Sequence, residues 1–133
     1  MPRRRLSGQD LPVALSVLIV DDSLQFRAAA AELLAERGLN VLATAADANQ
    51  ALEEVADACP DGILLDINLP GPDGFAAATA LAAVCPTARI LLTSANFAHV
   101  PEELLRASAA TAFVSKEDLA DADLDALFMP GGT

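Results

Sequence analysis

The sequence predicts a three-layer α/β domain: a parallel, doubly wound sheet of five strands with helices on both faces. Three observations carry this. Five short apolar segments recur along the chain, each long enough for a strand and too short for a helix. Between them lie stretches with helical spacing and recognisable caps. The strands read as continuous apolar runs rather than alternations, as expected when helices cover both faces of a sheet. Right-handed βαβ crossovers then make the sheet parallel.

The elements follow in order. Ser16-Val17-Leu18-Ile19-Val20 is a β-branched apolar run of strand length. Ser23 is an N-cap candidate, and Phe26, Ala30, Leu33 and Leu34 then describe one helical face, ended by Gly38. Asn40 to Thr44 is the second strand. Asp47 with Gln50 three positions on forms a capping box that opens a helix with Leu52, Val55 and Ala56 inward. Pro60-Asp61 leads to the third strand, Gly62 to Leu65, followed by an alanine-rich helix from Gly74 to Val84 that buries Phe75, Ala78, Leu81 and Ala82. Ala88 to Thr93 is the fourth strand. Pro101-Glu102-Glu103 suits a first helical turn, with proline at N1 and acids at the positive end of the dipole. Thr111 to Val114 is the fifth strand. Ser115 with Asp118 predicts one last helix running through Leu124, Leu127 and Phe128.

The 133 residues fit one domain with one core: a loose arm over 1–15, the folded module over 16–129 and a frayed tail over 130–133. The net charge of -11 offers no basic face to phosphates, which excludes direct nucleic-acid binding. Arg3-Arg4-Arg5 before an apolar run resembles a signal peptide, but Pro12, Asp21-Asp22 and the lack of a small-residue cleavage site oppose it. The run is also too short to span a bilayer, so a cytoplasmic protein without membrane contact is expected. Cys59 and Cys85 stand outside any cysteine framework and are read as reduced thiols at helix ends. His99 has no metal-ligand partner nearby and reads as a loop residue.

In an open α/β sheet ligands bind beyond the carboxyl ends of the strands, where strand order reverses. In the flavodoxin-like order 2-1-3-4-5, strand one ends in Asp21-Asp22 beside strand three, which ends in Asp66. Thr93-Ser94 and Lys116 close strands four and five. Taken singly, each would serve as a turn or cap residue. Four strand ends in agreement point to a site. Three converging carboxylates need a counter-charge, and oxygen ligands with room for water describe Mg²⁺. Thr93 would then bond a phosphoryl oxygen and Lys116 pair with another, leaving Asp66 as a nucleophile on phosphorus. Lys116 is the only lysine beside seven arginines, which marks its compact ammonium.

These residues resemble the receiver domain of two-component response regulators over roughly Val17 to Phe128. The matching features are Asp21-Asp22 after strand one, Asp66 in Leu-Leu-Asp-Ile-Asn-Leu-Pro, Asp73-Gly74, Thr93 before a small residue, and Phe113 three before Lys116. The resemblance implies Asp66 as phosphoacceptor. It implies Mg²⁺ held by Asp21, Asp22, Asp66 and the backbone carbonyl of Asn68, and Thr93 with Phe113 as a switch pair. Three positions depart from the pattern: Glu117 replaces the usual proline, Phe113 a commoner tyrosine, and Asn49 a frequent glycine.

The expected function is a non-enzymatic, stand-alone switch loaded by a histidine kinase or phosphotransfer protein and read by an output protein through the fourth helix, fifth strand and fifth helix. The sequence leaves open the output partner and the oligomeric state, a homodimer included. Two rivals are a receiver-like scaffold without phosphorylation and a Mg²⁺-dependent phosphohydrolase using an aspartyl phosphate. The latter commonly needs a second acid two residues past the nucleophile, where Asn68 stands.

Overall fold

The computed structural model describes residues 14–95 and 100–129. The elements run β1 (Ser16–Val20), α1 (Leu24–Glu36), β2 (Asn40–Ala45), α2 (Ala48–Asp57), β3 (Gly62–Asp66), α3 (Gly74–Val84), β4 (Arg89–Ser94), α4 (Glu102–Ala107), β5 (Ala112–Ser115), a 3₁₀ segment (Lys116–Asp121) and α5 (Leu124–Phe128). The sheet is parallel in the order β2-β1-β3-β4-β5. The predicted fold and strand order are those observed. The arm up to residue 13, His99 and the tail from 130 lie outside the described residues.

Alternation along the central strands splits the core into two layers. Val17, Ile19, Leu64 and Leu91 face Ala30 and Leu34 of α1 together with Leu119, Leu124 and Phe128. Leu18, Val20, Ile63, Leu65, Ile90 and Leu92 face Ala48, Ala51 and Val55 of α2 and Ala77, Ala78 and Leu81 of α3. Each fully buried Leu, Ile or Phe contributes about 1.5–3 kcal/mol relative to exposure. Both edge strands depart from the expectation of full cover. β2 alternates exposed and half-buried residues, and Phe113 on β5 is exposed, because an edge strand has a neighbour on one side only.

The helix starts follow the predicted caps. Ser23 Oγ accepts from the Phe26 amide at 3.1 Å, and Asp47 accepts from the Gln50 amide while Gln50 reaches back to the Ala46 amide. Gly38, at φ +83°, takes the left-handed turn that ends α1. Pro101 is the N-cap of α4 rather than its first residue.

Two further sequence readings are overturned. The cysteines are not free thiols: Cys59 and Cys85 form a disulfide that joins the loop after α2 to the C-cap of α3. The fold brings them to a Cα separation of 5.7 Å, which sequence spacing alone does not show. The single last helix is also wrong. Ser115 Oγ bonds the Asp118 carboxylate at 2.9 Å instead of a backbone amide, a 3₁₀ segment follows, and Asp123 starts α5 afresh by accepting from the Ala126 amide. Arginines secure this broken connection. Arg37 donates to the carbonyls of Ala120 and Ala122, and Arg89 donates to that of Leu127.

Candidate functional site

β1 and β3 are hydrogen-bonded neighbours that pair Val20 with Leu65, so their next residues, Asp21 and Asp66, emerge side by side. Asp66 is paired with Thr93 on β4, and Ser94 with Ser115 just before Lys116 on β5. Burial ranks the acids. Asp21 and Asp66 are buried and Asp22 is exposed, and one oxygen from each lies within 4.8 Å of the others. The turn after β3 is held tightly. The Ile67 amide donates to Thr93, and the Gly74 amide donates to Ile67. A Cβ on Gly74 would stand 2.4 Å from the Asp66 carbonyl oxygen, so only glycine lets α3 begin this close to the acid.

Polar contacts fix each side chain. Asp21 Oδ1 accepts from the Ser23 amide at 2.8 Å. Its Oδ2 meets the Lys116 ammonium at 2.8 Å, yet this buried oxygen has no aligned hydrogen-bond donor. Lys116 Nζ lies 3.8 Å from Asp66 Oδ2, and the Asn68 amide donates to Asp66 Oδ1 at 3.1 Å. Burial pushes the Asp66 carboxyl above its ordinary range, and the neighbouring charges of Asp21 and Asp22 add to this. The Asn68 amide and the Lys116 ammonium oppose it. Thr93 is fully buried, and its hydroxyl reaches the Leu65 carbonyl at 3.5 Å. The Lys116-Glu117 peptide is trans.

The structure thus brings together Asp21, Asp22, Asp66, Asn68, Thr93 and Lys116. Phe113 stands apart, 38% exposed on β5. Two contributors went unread in the sequence. Arg27 donates to the Asp21 carbonyl at 2.7 Å, and the Phe26 ring lies under the Lys116 ammonium, 4.3 Å from Nζ to its centroid. Their position on the first turns of α1, directly after the acidic pair, was the available signal.

The profile of the response regulator receiver domain matches residues 17–126. The chain belongs to that family. This receiver domain is a phosphorylation-activated signalling switch. It is 36% identical over 115 residues to a protein-glutamate methylesterase/protein-glutamine glutaminase of Archaeoglobus fulgidus, covering 85% of this chain but 33% of that protein. The chain therefore spans a minor part of the curated relatives it matches. Among solved structures it resembles Vibrio cholerae chemotaxis protein CheY4 at a TM-score of 0.75 and 27% identity, covering 86% of this receiver and 99% of that chain. It also resembles a chain of the CheX-CheY-BeF3-Mg²⁺ complex from Borrelia burgdorferi, at 0.68 and 27%, covering 76% and 77%. Among the described residues no helix is long and apolar enough to cross a membrane.

Proposed function

We propose that the receiver takes its phosphoryl group on Asp66 and passes the signal on by protein contact. The observation that carries this is the setting of Asp66: a buried carboxylate at a strand end, two acids within 4.8 Å and an ammonium at 3.8 Å. An oxygen of Asp66 attacks phosphorus of a phosphohistidine donor, a new O–P bond forms, and the P–N bond breaks with its electron pair leaving on the imidazole. Lys116 offsets charge on the incoming oxygens, and Thr93, one strand over, supplies a hydroxyl to the bound group.

The acids fit a hard divalent cation. All the donors are oxygens, buried Asp21 Oδ2 lacks an aligned donor, and burial together with crowding disfavours the charge on Asp66. Asp21, Asp22, Asp66 and the Asn68 carbonyl would hold Mg²⁺, which supplies charge neutralisation when bound.

The donor is a histidine kinase or phosphotransfer protein. The output is read by protein contact at α4, β5 and α5, where Leu104 and Phe113 are exposed. The switch element is Thr93 with Phe113, the ring moving inward as the hydroxyl turns to the phosphoryl group. The module spans 16–129 and works in the cytoplasm, a homodimer being compatible with this role. We assign it no turnover of its own, since Asn68 occupies the place of a second acid.

Intact mass after incubation with acetyl phosphate and Mg²⁺ tests the reading. One labile phosphoryl adduct is expected, absent in Asp66→Asn and without Mg²⁺. No adduct with any donor would leave a scaffold, and sustained hydrolysis of a generic phosphate ester would make the chain an enzyme.

A further inference from the structure

Lys116 touches more than acids. Its ammonium sits over the Phe26 ring, 4.3 Å from the centroid, within the range of a cation–π contact. The lysine side chain is 24% exposed, so water covers it only in part. Phe26 is itself fixed. Its amide donates to the Ser23 cap at 3.1 Å, and its half-buried ring packs against the core cluster containing Val17 and Ile19. The rigid first turn of α1 thus offers an aromatic face to a flexible four-carbon chain whose other partners are the carboxylates of Asp21 and Asp66. A leucine would fill much of the same space but would present no quadrupole to the charge.

We propose that Phe26 is a positioning residue: its ring holds the Lys116 ammonium over the carboxylate pocket and so sets the rate at which Asp66 takes a phosphoryl group. The ring touches neither donor nor acceptor and acts only through Lys116. A lysine held in place spends less entropy when it meets the incoming phosphoryl oxygens, which is how preorganisation speeds a charge-stabilised step. The inference rests on Asp66 being the acceptor.

The test uses the full chain and exploits its single lysine. With ¹³C-labelled lysine, the wild type gives one ε-CH₂ resonance displaced upfield by the Phe26 ring current. Phe26→Leu removes that displacement, and Phe26→Tyr keeps it. Phosphorylation by acetyl phosphate with Mg²⁺, in which acetate leaves as the Asp66 O–P bond forms, slows about twofold to thirtyfold in Phe26→Leu, the range of a cation–π contact. Phe26→Tyr restores the rate to within about twofold on the same scale. In a Lys116→Ala background Phe26→Leu has no further effect, because the two residues act as one unit.

A leucine variant that keeps the displaced resonance overturns the proposal. So does a tyrosine that fails to rescue, or an additive cycle, since either makes Phe26 a packing residue only. The resonance requires no phosphoryl transfer, so failure of the contact and failure of Asp66 as acceptor are read separately.

Discussion

Burial, together with the like charges of Asp21 and Asp22 beside it, makes the charge of Asp66 a cost to the fold that Asn would remove. At separations of no more than 4.8 Å and an effective dielectric of about 20, each pair of like charges costs at least about 3.5 kcal/mol, and the ammonium at 3.8 Å offsets about 4.4 kcal/mol. Two repulsions thus outweigh one attraction. Water around exposed Asp22 screens part of the excess, so roughly 1–2 kcal/mol remains. Asparagine keeps an oxygen to accept from the Asn68 amide and carries no charge. Asp66→Asn is therefore expected to be more stable than the wild type at pH 7 in chelator, by about 3–8 °C in melting temperature.

The pH dependence follows from the sign of the shift. The folded-state carboxyl titrates above its ordinary 3.8. Between the unfolded and folded values the native protein holds a proton that the unfolded chain has lost, so wild-type stability falls as pH rises through that window. The advantage of Asp66→Asn should vanish on the acid side of it. Mg²⁺ should stabilise the wild type, by about 2.7 kcal/mol at a hundred times its dissociation constant, and the variant far less. Thermal unfolding in chelator and in Mg²⁺ across a pH series measures all of this. A variant less stable than the wild type in chelator at pH 7, or equally stabilised by Mg²⁺, would show that the charge of Asp66 carries no such cost.

Other expectations test the scaffold and the switch. Reducing Cys59–Cys85 opens a link across a sequence separation of 26 and should cost about 2–4 kcal/mol, seen as a lower urea midpoint that is absent when both cysteines are replaced by alanine. Gly62→Ala would set a Cβ 2.2 Å from Phe128 Cδ1, so a loss of about 1–3 kcal/mol is expected, partly recovered by adding Phe128→Leu. Lys116→Ala should still accept phosphate, though more slowly, and lose the shifts of β4 and β5 amides that phosphorylation brings; an unchanged response would remove Lys116 from the switch.

Much of this was legible because it depends on local signals. Apolar runs bounded by turns placed the central strands, and Ser23, Asp47 and Gly38 marked helix ends by chemistry that needs no tertiary partner. The site was legible because strand order turns positions far apart in sequence into neighbours, and four of the five strand ends carry a polar side chain. The remainder depends on contacts between distant residues. Ser115 and Asp118 have the spacing of a capping box, but their side chains bond each other, and Arg37 holds the end of the resulting 3₁₀ segment through the carbonyls of Ala120 and Ala122, 83 and 85 residues away in sequence. The disulfide appears only once α2 and α3 are docked. Phe26 has the helical spacing of a core residue, which it partly is. Its second role depends on where β5 delivers Lys116.

We propose Asp66 as the one carboxylate that carries the phosphoryl group. Borohydride converts an aspartyl phosphate to homoserine, so peptide mass spectrometry of the protein loaded with acetyl phosphate and Mg²⁺, then reduced, locates the modification directly. Homoserine at position 66 and at neither Asp21 nor Asp22 is the predicted result. Conversion at another acid, or none in a protein shown to be folded and Mg²⁺-bound, would contradict the account.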